Sequence, residues 1–293
     1  MSNLVRCISD DGCVAALAVD SFEIVETARR ITGSSKVCTA ALGRLLTASA
    51  MMGKMLKGED DSVTLRVNGN GPAGSLIAVA DADGCCRGYM MNPHVELPLN
   101  GRGKLDVGGA VGKDGFISVI KDLGYKEPTV GQVPLVSGEI AEDITSYFAV
   151  SEQVPTVCAL GVLVNPDLTV AAAGGFLIQL LPTADDTVID KVEKGLAGLP
   201  AVTTMLSDGL TPFQILQKAL PEFQLETLGE YDCAYRCNCS RERVERALIS
   251  AGEQALEEMA QDPVTEVKCH FCPAVYRFSA DEIREILKNA RQK

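Results

Sequence analysis

The sequence has no tryptophan and few aromatic residues of any kind, 5% in all, so its cores must rest on Val, Leu, Ile, Ala and Met. It has two histidines, His94 and His270. His94 has no serine or cysteine motif near it, and His270 lies inside a cysteine pair, Cys269 and Cys272. It also lacks an excess of positive charge. Against 27 Lys and Arg stand 39 Asp and Glu, a net charge of −12. That balance argues against duplex or single-strand nucleic acid and against anionic membrane surfaces. The acidity is uneven, because from Asp232 onward ten basic residues nearly balance eleven acidic ones. Long apolar runs are missing too. The most apolar stretch, Val170 to Leu181, is interrupted by Gly174, Gly175 and Gln179 and falls short of the roughly 20 residues needed to span a bilayer. No basic segment followed by an apolar one opens the chain, so a cytoplasmic protein is expected.

What is present is cysteine, eleven in 293 residues. In a reducing compartment such a number points to metal or redox chemistry rather than structural disulfides. The apolar fraction of 46% is ample for a packed core.

The pattern along the chain predicts an α+β protein. It has a mixed N-terminal domain with antiparallel-rich sheets over residues 1–180, an amphipathic helical linker over 181–230, and a small zinc-binding module over 231–293. Strands are expected at Leu4–Ser9 and Cys13–Asp20 around an Asp-Asp-Gly turn. A helix follows from Ser21 to Thr32, stopped by Gly33. Lys36 to Leu56 is expected to be a long helix buried on more than one side, because apolar residues surround it. Further strands are expected at 63–67, 75–80, 86–91, 116–120, 130–136, 157–164 and 168–180, with a helix over Glu139–Gln153. Residues 185–220 read as short helices. Val188, Val192, Leu196 and Leu199 form one apolar face, and Phe213, Leu216 and Leu220 another. Short helices are marginal alone, so these faces need a surface to dock on. In the module, Ser240 caps a helix, Ser279-Ala-Asp-Glu282 is a capping box, and the segments 264–268 and 274–278 read as a hairpin.

Cys237-Asn-Cys239 and Cys269-His-Phe-Cys272 are the chemical centre of the sequence. Two close pairs give four sulfurs able to converge on one tetrahedral ion, and soft thiolates favour zinc. Cys233 is an alternative ligand, and His270 is expected to point away. Cys85-Cys86 should alternate, one sulfur inward and one outward. Cys7, Cys13, Cys38 and Cys158 read as small core residues. The glycines at 69, 71 and 74 lack the Gly-Lys-Ser/Thr of a phosphate loop, and Gly101-Arg-Gly-Lys104 reads as a plain turn.

Zinc–sulfur bonds of about 2.3 Å set neighbouring sulfurs roughly 3.8 Å apart. A disulfide needs about 2.05 Å, so metal and disulfide exclude one another. A module of about 60 residues has a marginal core. Zinc can contribute about 10–16 kcal/mol of apparent binding free energy to such a fold, so its loss should unfold the module.

At this point the sequence resembles a known family, the redox-regulated heat-shock chaperones called 33 kDa chaperonins. The four-cysteine tail carries the resemblance most specifically. The body agrees through Asn68-Gly-Asn-Gly-Pro-Ala-Gly74, Arg87-Gly-Tyr89 with Asn92-Pro93, Tyr147-Phe148 with Ser151-Glu-Gln153, and Gly174-Gly-Phe176. The resemblance covers essentially the whole chain. It implies an ATP-independent holdase rather than an enzyme, inactive while reduced and zinc-bound. Oxidants would release the zinc and form the disulfides Cys237–Cys239 and Cys269–Cys272. The module and linker would unfold, the protein would become a homodimer, and unfolding client proteins would bind. The extra cysteines depart from a clean two-disulfide scheme. Two rival readings remain, a thiol–disulfide oxidoreductase using Cys269 and Cys272, and a zinc-ribbon adaptor.

Overall fold

A computed structural model describes residues 2–291. Its elements form two compact units, residues 1–236 and 237–293.

The first unit begins with a hairpin, β1 (Ser2–Ser9) and β2 (Val14–Asp20), then α1 (Phe22–Thr32) and α2 (Lys36–Gly53). Next come β3 (Ser62–Asn70), β4 (Leu76–Asp81), β5 (Cys86–Met90), the short α3 (Val107–Val111), β6 (Gly112–Asp122) and β7 (Thr129–Pro134). After α4 (Ala141–Tyr147) lie β8 (Thr156–Val164) and β9 (Val170–Leu180). Three helices follow, α5 (Asp186–Leu196), α6 (Val202–Ser207) and α7 (Pro212–Ala219), and then β10 (Leu225–Cys233). Two antiparallel five-stranded sheets result, ordered β10-β1-β2-β9-β8 and β5-β4-β3-β6-β7. The expected α+β class with antiparallel sheets is the observed one.

α2 packs against strands of both sheets. Its sequence permits this. Small residues recur along it, its charges are confined to Lys36 and Arg44, and nearly every position is buried. Gly43 shows how close the packing is, since a Cβ there would lie 2.6 Å from Val25. The helix stops at Gly53 rather than at Leu56, where the chain turns toward β3.

Strand alternation then gives the first sheet two buried faces. Leu4, Leu17 and Val19 join the core around α2. Val5, Cys7, Ala16, Ala18, Phe176 and Ile178 face the other way, and α5, α6 and α7 cover them with Val188, Val192, Val202, Met205, Ile215 and Leu216. The amphipathic helices therefore find their docking surface on this sheet. Leu196, Leu199 and Phe213, from the expected faces, pack at its margin.

Three local features depart from expectation. β10 was not foreseen and pairs with β1 along its length, Ser2 opposite Cys233 and Ser9 opposite Leu225. The compact units divide between Arg236 and Cys237, after this strand. The helix expected over 139–153 is α4, followed by a π-helical turn at Phe148–Glu152 that ends with Gln153 in the left-handed region. The glycine run after β3 is a site of close backbone approach. Gly71 N–H donates to Val111 O, and a Cβ at Gly69 would sit 2.1 Å from Gly112 O.

The entry to α4 is held by one carboxylate. Asp143 is fully buried. Its oxygens accept the backbone N–H groups of Val136, Ser137 and Gly138, at 2.7, 3.1 and 3.4 Å, and of Ile140 at 2.9 Å. These bonds hold Ile140 at φ 71°, where a β-branched residue is strained. Asp143→Ala should lower unfolding stability by about 1–3 kcal/mol, because four backbone donors, those of the buried Gly138 and Ile140 among them, lose their acceptor. Chemical denaturation checks this, and an unchanged midpoint would show that water replaces the carboxylate.

The second unit comprises α8 (Arg241–Ser250), α9 (Glu253–Met259), the hairpin β11 (Val264–Lys268) and β12 (Val275–Ser279), and α10 (Ala280–Ala290). Its core is small: Leu248, Leu256, Ala260, Phe278, Ile283, Ile286 and Leu287. The Ser279–Glu282 capping box is present as expected. Among the described residues, no helix is long and apolar enough to cross a membrane.

Candidate metal centre

Each cysteine pair is placed by a chain reversal. Ser240 caps α8, its hydroxyl accepting the Arg243 N–H at 3.3 Å, so the chain turns directly after Cys239. Cys269 and Cys272 lie in the turn of the β11–β12 hairpin, which is closed by Cys269 N–H donating to Ala274 O at 3.0 Å. Arg241 ties the two parts together. It donates to Arg277 O at 3.0 Å and to Glu282 at 2.6 Å, and its guanidinium sits 4.2 Å from the centre of the Phe278 ring.

The result brings Cys237, Cys239, Cys269 and Cys272 together, with all four sulfurs within 4.8 Å of one another. Cys237 Sγ lies 3.7 Å from Cys269 Sγ, and Cys239 Sγ lies 3.4 Å from Cys272 Sγ. These spacings are near the roughly 3.8 Å that tetrahedral thiolate coordination imposes. The four residues could hold a metal ion, and all are partly buried.

The sulfurs are not equivalent. Burial pushes the thiols of Cys237 and Cys272 up. Burial opposes ionisation of Cys239 as well, but the Tyr276 hydroxyl and the neighbouring thiols outweigh it and hold this thiol below its usual value. Tyr276 Oη donates to Cys239 Sγ at 3.1 Å. That bond pushes the tyrosine up to about 12. Tyr276 escaped the sequence reading. The period of two along β12, which turns Tyr276 inward with Phe278, was the signal available for it.

The other cysteines lie elsewhere. Cys233, the alternative ligand, is buried at the end of β10 in the first unit and is not among the converging sulfurs, nor is His270. Cys85 and Cys86 are both buried, so the expected alternation of one inward and one outward sulfur does not hold. The segment 234–236 runs beside Cys86, whose N–H donates to Ala234 O and whose carbonyl accepts from Arg236 N–H. Cys7 and Cys38 are core residues, while Cys13 and Cys158 are only partly buried. Gly101–Lys104 is a plain turn, with Asn100 Oδ1 accepting the N–H groups of Arg102 and Lys104.

The family model described as "Hsp33 protein" matches residues 2–279. The 33 kDa chaperonin of Lachnoclostridium phytofermentans is 51% identical over 286 residues, covering 97% of each chain. That of Agathobacter rectalis is 49% identical, covering 97% of this chain and 98% of its own. The crystal structure of the 33 kDa chaperonin from Thermotoga maritima superposes with a TM-score of 0.88 at 38% identity, covering 99% of both chains. The chain belongs to the Hsp33 family, a family of chaperones and not of enzymes. The oxidoreductase reading is therefore set aside.

Proposed function

We propose that the protein is a redox-regulated, ATP-independent holdase that binds unfolding proteins and prevents their aggregation under oxidative stress in the cytoplasm. The observation that carries this reading is the convergence of four thiols in a unit whose own apolar core is only seven buried residues.

In the reduced state, Cys237, Cys239, Cys269 and Cys272 would hold one zinc ion, which their soft, tetrahedrally spaced sulfurs suit. Bound zinc supplies a cross-link between the start of the unit and its hairpin. Everything else is done by the chain. Oxidation draws the sulfurs into the disulfides Cys237–Cys239 and Cys269–Cys272, and these cannot coexist with coordination. The loss of the cross-link leaves seven core residues to stabilise the zinc-binding redox-switch domain, residues 231–293, and its part from Cys237 onward unfolds. The helices α5–α7 of the linker, residues 181–230, can then leave the sheet while β10 stays paired with β1. The client site is then the face of Val5, Ala16, Ala18, Phe176 and Ile178, in the substrate-binding and dimerisation domain of residues 1–180, together with the apolar faces of α5–α7. The active form is a homodimer. Its partners are unfolded clients, and neither nucleic acid nor membrane is involved.

Zinc content and suppression of client aggregation, measured before oxidation, after it and after re-reduction, test this reading. Zinc should leave as suppression appears, and both changes should reverse on reduction. Zinc retained through activation, or zinc lost without any gain in suppression, would overturn it. A zinc-ribbon adaptor would instead be indifferent to oxidant or inactivated by it.

A further inference from the structure

The four sulfurs do not face the same kind of donor. Cys237 Sγ faces the backbone N–H of Cys239. Cys269 Sγ accepts from the N–H of Phe271 at 3.4 Å, and Cys272 Sγ faces the N–H of Ala274. In all three the donor lies two residues on in the chain, so the turn itself supplies it whatever the side chains are. Cys239 is the exception. Two residues beyond it the chain has entered the first turn of α8, and the donor is a side chain, the Tyr276 hydroxyl at 3.1 Å. The bond joins residues 37 apart in sequence and links the start of the unit to β12. Tyr276 also pairs across the hairpin with Val267, which fixes its direction.

We propose that Tyr276 is the positioning residue for Cys239, and that its hydroxyl slows both metal loss and oxidation at the Cys237/Cys239 half of the site. A hydrogen bond to sulfur draws electron density from the lone pairs that attack an electrophile. The proposal rests on the four cysteines being the metal site and redox sensor described above.

The oxidation concerned is balanced with a hydroperoxide as oxidant. The Cys239 thiolate attacks the peroxide oxygen, the O–O bond breaks, hydroxide or alkoxide leaves, and Cys239 becomes a sulfenic acid. The Cys237 thiolate then attacks that sulfur, the S–O bond breaks, and the oxygen leaves as hydroxide. Two thiolates have lost two electrons, the peroxide has been reduced by two, and the two expelled oxyanions take their protons from water. Tyr276 acts on the first attack, by holding the lone pair that would make it.

The test is Tyr276→Phe in the full-length protein, which removes one oxygen and keeps the ring. Two readouts are taken: metal release to a chromogenic chelator under hydrogen peroxide, and the alkylation rate of each cysteine by iodoacetamide, resolved by peptide mass spectrometry. Metal release should quicken by about tenfold, in line with lost outer contacts at other metal sites. Alkylation is followed in the metal-loaded protein, where coordination already holds each sulfur as a thiolate, so the rate reports lone-pair availability rather than ionisation, and Cys239 should rise relative to Cys269. Equal acceleration at all four sulfurs, an unchanged Cys239-to-Cys269 ratio, or a variant that no longer folds around metal would assign Tyr276 to packing and overturn the proposal. Tyr276→Leu separates the two roles further. It removes ring and hydroxyl together, so its melting temperature should fall well below that of Tyr276→Phe, while its Cys239 alkylation rate should match. The two readings fail separately. Should the parent protein lose no metal under peroxide, the redox-switch function fails, while the alkylation ratio still decides the role of Tyr276.

Discussion

Removing the metal from the reduced protein with a strong chelator is expected to unfold residues 237–293 while the sheets of residues 2–236 stay folded. The second unit has seven buried core residues, one two-stranded hairpin and three short helices. A lone hairpin is marginal, and a core of this size supplies only about 3–5 kcal/mol. On the proposed function, a four-thiolate zinc site would contribute about 10–16 kcal/mol, so the metal would outweigh everything else holding the unit. Hydrogen exchange should show amides of α8–α10, β11 and β12 losing protection together, with α2 and the central strands unaffected. Protection that persists in α10 after complete metal removal would show that the apolar core suffices.

The same arithmetic decides what oxidation does. A disulfide within either pair closes a loop of two or three residues and restrains almost nothing. Sulfurs of different pairs also approach closely, however, Cys237 with Cys269 at 3.7 Å and Cys239 with Cys272 at 3.4 Å. A bridge of that kind would span 32 or 33 residues and restore about 3–4 kcal/mol. Peptide mapping of the oxidised protein therefore bears on its folding. Disulfides within pairs go with a melted unit, and a bridge between pairs would go with one that keeps part of its order.

The second large effect is expected from the docked helices. Val188→Asp with Val192→Asp should release α5 from the sheet and let the reduced, metal-bound protein suppress aggregation of a heat-denatured reporter without oxidant. Both valines are nearly inaccessible, at 6% and 4% exposure. Burial of each is worth roughly 1.5–3 kcal/mol. An aspartate there would have to be desolvated without a partner, at a cost that exceeds what docking returns. Limited proteolysis between β9 and β10 reports the release, and light scattering reports the suppression. Cleavage without suppression would mean that the uncovered face does not bind clients.

Much of this architecture can be read from the sequence where its signals are local. The hairpin of β1 and β2 follows from an Asp-Asp-Gly turn between apolar strands, the α10 start from its capping box, and the cysteine pairs from their spacing. The long burial of α2 is legible because no face of it is polar. β10 is not legible, because Glu226, Glu230 and Asp232 mask the alternation of its inward side. It is an edge strand, and such charges are what keep an edge from pairing with other chains. The break after Tyr147 could not be seen either, since the helical spacing of Ile144, Tyr147 and Phe148 continues while the backbone widens into a π turn. Tyr276 is invisible for another reason. Its bond to Cys239 depends on the folded hairpin, and no spacing rule spans that separation.

The position of β10 has one further consequence. Because β9 and β10 belong to the same sheet, the helical segment 181–224 between them is anchored at both ends. It behaves as a tethered ligand for the face it covers, present at an effective concentration on the order of millimolar. On the proposed function, a client must compete with that local concentration. Weakly exposed, nearly native proteins would lose the competition, and chains displaying extended apolar surface would win it. The tether thus makes the covering segment a threshold as well as a lid, setting how unfolded a protein must be before it is held.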